Sequence, residues 1–105
     1  MRLYLDDVRP CPPGYVLAQT APDAIGLLKT GQVTVISFDH DLGPTEAGTG
    51  YDVACWIETQ AHTSPGFQVP SYQIHSANPV GRNNIHNAMV SARFAAMDRL
   101  HPDRF

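Results

Sequence analysis

Charge is scarce in this 105-residue chain: 16% of its residues are charged, and seven Lys and Arg against ten Asp and Glu leave a formal net charge of −3 with histidine neutral. No basic footprint marks it for non-specific binding to DNA, RNA or an anionic membrane, so any RNA or nucleotide contact has to be local and small. Cysteine is nearly absent, with Cys11 and Cys55 the only two. Without a secretory leader they read as free thiols in a reducing compartment. No apolar run approaches the ~20 residues of a membrane span, and the expected location is the cytoplasm. Composition also argues against disorder: 43% hydrophobic residues is ordinary for a globular protein. The length suits one domain over residues 1–105, with a core that needs no disulfide or metal staple.

What the chain does carry is an apolar strand that ends in ionisable groups. Val33–Gly43 reads VTVISFDHDLG, a run of apolar and β-branched residues closing on Asp39, His40 and Asp41. A buried charge costs several kcal/mol unless it is paired or bound to a cation, so this cluster belongs at the strand's carboxyl end. That is where ligands bind in open α/β sheets. Because its apolar residues hardly alternate with polar ones, Val33–Phe38 predicts a central parallel strand covered on both faces.

The amino-terminal segment repeats the theme. Met1–Asp7, MRLYLDD, predicts a strand with Leu3 and Leu5 on one face, Tyr4 on the other, and Asp6 and Asp7 at its end. One acidic pair is a common surface turn; two, each closing an apolar strand, point to a site. Val8–Gly14 holds three prolines in seven residues and cannot be helical. It carries Arg9, whose guanidinium either clamps an anionic ligand or neutralises the nearby aspartates.

Tyr15–Gln19 reads as a second strand. Thr20 then caps a short helix, with Pro22 and Asp23 in its first turn, Ala24, Ile25, Leu27 and Leu28 on its apolar face, and Gly31 as its stop. A strand-helix-strand unit of this length crosses over right-handed. Gly43–Gly50 is a flexible glycine-rich loop. Tyr51–His62 predicts a helix with Val53, Ala54, Ile57 and Ala61 inward and Trp56 off that stripe.

Ser71–His75 is a last short strand, and the junction after it is informative. Asn78 is a natural N-cap and Pro79 an ideal first helical residue. The helix that follows has a stripe of Ile85, Ala88, Met89, Ala92, Ala96 and Leu100. Its free N–H groups and positive dipole end favour an anion beside His75 and Ser76, and Arg82 adds charge. The bland alternative is that Ser76 and Asn78 only satisfy backbone groups and His75 is a satisfied strand-end residue.

Strands ending in Asp6–Asp7, Asp39 and Ser76 resemble the receiver domain of two-component signalling. There the corresponding acidic triad binds Mg²⁺ and a Ser or Thr closes the later strand. The proline loop replaces the first helix, however, and the fifth strand with its lysine has no counterpart. More specifically, LDDVRPCPPGY, ISFDHDLG, TGYDVACWIE and IHSANPVGRNNI, spread between residues 5 and 85, resemble the receiver-derived cyclic-phosphate processing receiver-like domains. That resemblance implies an α/β fold: a truncated receiver-like (flavodoxin-like) three-layer fold with a small, mostly parallel four-stranded sheet. It also implies recognition or processing of cyclic phosphates, with roles for Asp6, Asp7, Asp39, His40, Asp41, His75 and Ser76.

Opening a cyclic phosphodiester needs a base for water and an acid for the leaving oxygen. Imidazole, with a reference pKa of about 6.5, suits both. His40 and His75, at the ends of strands expected ~4.8 Å apart, can share that work across one cleft, with Asp39 as a third catalytic candidate. Asp6, Asp7, Asp39 and Asp41 are candidate ligands for Mg²⁺; a mixed His/Asp set also suits Zn²⁺ or Mn²⁺. Arg9, Ser76, Asn78 and Arg82 are the candidate phosphate-binding residues. The substrate expected is a cyclic-phosphate small molecule or an RNA end, handled by a phosphodiesterase. Two other readings compete: a degenerate receiver that binds a ligand or partner without catalysis, and a buried, mutually satisfied polar network. His62, His86 and His101 fall outside the site. An exposed edge strand in so small a sheet invites a homodimer.

Overall fold

The computed structural model describes residues 1–100, so His101 lies outside the described residues. Four strands, β1 (Arg2–Leu5), β2 (Tyr15–Ala18), β3 (Val35–Phe38) and β4 (Ser71–Ile74), form one parallel sheet in the order β2-β1-β3-β4. Three helices follow the later strands: α1 (Ala21–Leu28), α2 (Gly50–Thr63) and α3 (Pro79–Leu100). This is the truncated receiver-like α/β fold expected, with the difference that the helices share one core on one face of the sheet, so the layers are two rather than three. The first crossover is the proline loop, and among the described residues no fifth strand follows β4.

Local chemistry sets the helix starts. Thr20 accepts from the Asp23 N–H at 3.2 Å. Thr49 and Asp52 close a capping box, with Thr49 N–H on Asp52 Oδ2 at 2.9 Å and Asp52 N–H on Thr49 Oγ1 at 3.2 Å. Asn78 Oδ1 accepts from Gly81 N–H at 3.1 Å and opens α3.

Strand register then divides the side chains between two faces. Leu3 and Leu5 pair with Ile36 and Phe38, and all four are buried with Val53, Ala54 and Ile57 of α2 and Ile85 and Met89 of α3 in one core. The helices therefore cover this face, and α2 packs along α3. Tyr4, Ser37 and Gln73 pair on the opposite face, beside the loop in which Cys11 Sγ approaches the Tyr15 carbonyl at 3.4 Å. Tyr15 meets Tyr4 edge to face at 6.0 Å. β2 is an edge strand with Val16 and Leu17 exposed. No helix among the described residues is long and apolar enough to cross a membrane.

The segment Gly43–Gly50, expected to be flexible, is instead built. It contains a 3₁₀ turn at Thr45–Ala47, buries Ala47, and is tied back by an antiparallel bridge between Asp41 and Thr49. Gly48 takes a left-handed φ of +73°, and Gly50 donates its N–H to the His40 carbonyl at 2.9 Å. Any Cβ at Gly50 would run into the Asp39 carbonyl. Glycine here serves close approach rather than mobility. Gly50→Ala is expected to lower stability by at least about 2 kcal/mol, read as a shift of the denaturant midpoint.

Candidate functional site

The site grows out of the ladder. Asp39 N–H donates to the Leu5 carbonyl and His75 N–H to the Phe38 carbonyl, both at 2.9 Å, so the strand pattern continues one residue past β1, β3 and β4. Alternation then puts Asp6, Asp39 and His75 on one face in a row above Tyr4, Ser37 and Gln73. The row lies where the strand order reverses, between β1 and β3.

From β4 the His75 side chain reaches across β3 to β1. Its Nε2 meets Asp6 Oδ2 at 2.9 Å, its Nδ1 meets Ser37 Oγ at 2.8 Å, and its ring stacks on Tyr4 at 4.5 Å and 2°. Ser37 is small enough to let the ring cross. Asp6, fully buried, is held from every side. Val8 and Arg9 N–H groups donate to Oδ1 at 2.9 Å each, while Arg9 Nη1 at 3.0 Å joins His75 on Oδ2. Burial pushes the Asp6 carboxyl up, but the main-chain N–H groups of Arg9 and Val8, the guanidinium and His75 outweigh it. The net result is a value of about 2, below the ordinary 3.8. The same Arg9 Nη1 lies 3.4 Å from Asp39 Oδ2. Of the two roles open to Arg9, neutralising the aspartates is the one these contacts show.

In front of this row is a cleft of about 420 Å³, walled by Asp7, Arg9, Asp39, Asp41, Ser76 and Asn78, with Val8, Gly43 and Ala77 between them. A larger hollow of about 610 Å³ by Trp56 and Phe67 contains Lys29 as its single ionisable lining residue. Size therefore does not choose the site; the convergence of charged groups does. Ser76 Oγ accepts from Asn78 N–H at 3.1 Å, and the Asn78 amide lies 3.5 Å from Asp41 Oδ2. Arg82, expected at the phosphate, instead donates from Nη1 to the carbonyls of Ile74 and Ser76 at 3.0 Å each. Its charge braces the β4–α3 turn.

The two histidines do not share a cleft. His75 belongs to the Asp6 row. His40 lies in a bend two residues past β3, with Nδ1 on Asp41 Oδ1 at 3.0 Å and its ring against Gly81 in the first turn of α3. The His40 bond holds the Asp41 carboxyl below its ordinary value. His40 N–H also donates to Asp39 Oδ1 at 2.8 Å. Among the described residues His40 Nε2 has no hydrogen-bond partner. Neither Ser37 nor Gly81 was singled out by sequence reasoning, though each left a trace: a lone hydroxyl in an apolar strand, and a glycine in a helical first turn.

Whether these residues suit a metal depends on which oxygens are spare. Asp6, Asp39 and His75 offer ligand atoms within 4.8 Å of one another. Asp6, however, already accepts four hydrogen bonds, and Arg9 supplies the positive charge between the two carboxylates. The carboxylates that line the cleft are Asp7, Asp39 and Asp41; oxygen donors suit a hard ion such as Mg²⁺, while among the described residues the ligand atoms that lie within reach of one another are those of Asp6, Asp39 and His75.

The sequence model of the family described as cyclic-phosphate processing receiver domain matches residues 1–91. No curated protein and no solved structure gives a significant match.

Asp6→Asn is expected to lower stability by about 3 kcal/mol, because it leaves buried donors facing the wrong partner. The acid profile checks the same interaction. A carboxyl depressed in the folded state adds stability above its unfolded value. That contribution is expected to disappear from wild type as pH falls from about 3.8 through about 2, and to be missing from the acid titration of Asp6→Asn.

Proposed function

The chain belongs to the cyclic-phosphate processing receiver family, and we propose that this protein binds a cyclic phosphate ester in the cleft at the carboxyl ends of β1 and β3 and opens it by hydrolysis. The observation that carries this reading is the convergence of Arg9, Asp7, Asp39 and Asp41 on one cleft, with His40 bonded to the wall residue Asp41. A carboxylate accepting at Nδ1 fixes the neutral ring as the Nδ1–H tautomer, which leaves a lone pair on Nε2. An imidazole oriented through one nitrogen and open at the other is the arrangement a general base needs.

The substrate is an anion, and the cleft meets it with Arg9, whose forked donors match phosphate oxygens. The Ser76 hydroxyl and the Asn78 amide are the neutral donors beside it. His40 Nε2 takes a proton from water as the water oxygen bonds to phosphorus. One ring P–O bond breaks, and the departing oxygen gains a proton from solvent at the open cleft. The product is a phosphomonoester with a free hydroxyl. Three carboxylates around an anion call for added positive charge. Asp7, Asp39 and Asp41 would hold a divalent ion, probed as Mg²⁺, Mn²⁺ or Zn²⁺, which when bound supplies charge neutralisation for the phosphate. Free Cys11 and Cys55 suit the reducing cytoplasm proposed as the setting.

The test is a hydrolysis screen with a nucleoside 2′,3′-cyclic phosphate, an RNA bearing such an end, a cyclic dinucleotide and a cyclised ADP-ribose-like compound. Each is offered with Mg²⁺, Mn²⁺, Zn²⁺ or EDTA. Turnover is expected for at least one, falling ~100-fold or more in His40→Ala at a melting temperature unchanged from wild type. No turnover, but a rise in melting temperature with the same compounds, would show a binding module instead. Silence in both readouts would end the cyclic-phosphate reading of this cleft.

A further inference from the structure

We propose that Ser37 and His75 are positioning residues, which hold the Arg9 guanidinium at the cleft through Asp6 and transfer no proton themselves. The inference rests on the hydrolytic reading above for its catalytic meaning, and on geometry for the chain of contacts.

Both ring nitrogens of His75 are engaged by the protein. A carboxylate only accepts, so Nε2 carries the hydrogen shared with Asp6 Oδ2 at 2.9 Å. In the neutral ring Nδ1 then accepts from the Ser37 hydroxyl at 2.8 Å; in the charged ring it donates to the same oxygen. In neither state is a nitrogen left for water or a leaving group. The ring is also clamped flat against Tyr4, and Ser37 is only 5% exposed, so neither group turns outward without breaking the row.

What the row delivers is the placement of Arg9. Asp6 Oδ2 accepts from His75 on one side and from Arg9 Nη1 on the other. Asp6 Oδ1 holds the Val8 and Arg9 N–H groups, so the backbone that carries Arg9 is tied to the same carboxylate. The guanidinium then spans from Asp6 towards Asp39 and forms part of the cleft wall. Side-chain order thus passes from the middle of β3, through β4 and β1, to the one arginine in that wall. A pre-placed guanidinium binds phosphate at a smaller ordering cost than a mobile one.

The experiment compares wild type with Ser37→Ala and His75→Gln. The first readout is ligand-free ¹⁵N NMR of the Arg9 guanidinium and the His75 ring. Expected are a His75 Nε2–H tautomer and resolved Arg9 Nη signals in wild type, with the Arg9 signals averaging in both variants. Arg9 signals that stay resolved in both variants overturn the proposal. The second readout is kinetics on the substrate found by the screen. A rise in KM of about tenfold with kcat within about threefold is expected for a lost positioning bond. A hundredfold loss of kcat at unchanged KM in His75→Gln would instead make His75 a proton-transfer residue and overturn the proposal. Should wild type show no turnover, the hydrolytic reading fails by itself, and the NMR comparison still decides whether Ser37 and His75 order Arg9.

Discussion

The structure around the site depends on one buried carboxylate. Asp6 is out of contact with solvent, and an ion in that position is tolerated only with full hydrogen bonding and a counter-charge. Val8, Arg9 and His75 meet that demand from two directions. Each partner is thereby fixed in turn. The loop after β1 must curl back so that two successive N–H groups reach Oδ1. Arg9 must fold over the strand end, and His75 must cross β3. One constraint sets the position of a loop, a cation and an imidazole.

This constraint also accounts for the missing first helix. A chain that curls back onto Asp6 at residues 8 and 9, and then meets Pro10, Pro12 and Pro13, has no way to start a helix there. The face of the sheet that bears Tyr4 and Ser37 is left to the loop and to a polar row, while the face bearing Leu3, Leu5, Ile36 and Phe38 takes the helices. Polar network and apolar core are segregated by strand alternation alone. The cleft opens at the edge between them, so it can be acidic without placing charge in the core.

Two carboxylates in the same neighbourhood have different tasks because their surroundings differ. Asp6 is surrounded by donors and serves as an anchor. Asp41 is exposed, bonded to His40, and depressed by that bond. The same division separates the histidines. His75 is stacked and doubly bonded, whereas His40 is bonded once. Gly81 makes room for His40, since a Cβ there would collide with its ring; a glycine that weakens a helix start is tolerated because it seats a histidine.

Much of the fold was legible in the chain. The apolar runs marked β1 and β3, and Thr20, Asn78 and Pro79 marked helix starts, because capping and strand preferences are local and act over a few residues. The placement of Asp6, Asp7, Asp39 and Asp41 at strand ends followed from the cost of burying charge. The 3₁₀ turn and the close approach at Gly50 were not legible in Gly43–Gly50, because glycine has the same signature whether it gives freedom or close approach. Which side chains meet was beyond local reading. His40 and His75 look like partners in the chain, but His40 bonds to Asp41 while His75 bonds to Asp6 and Ser37. Arg82 looked like a phosphate ligand until two backbone carbonyls claimed it. Local patterns in the chain were enough for most of the elements, their polarity and the acidic character of the strands' carboxyl ends. That His75 joins Asp6 and Ser37 came from the assembled sheet, because those contacts depend on register between strands far apart in the chain, whereas His40 meets its chain neighbour Asp41.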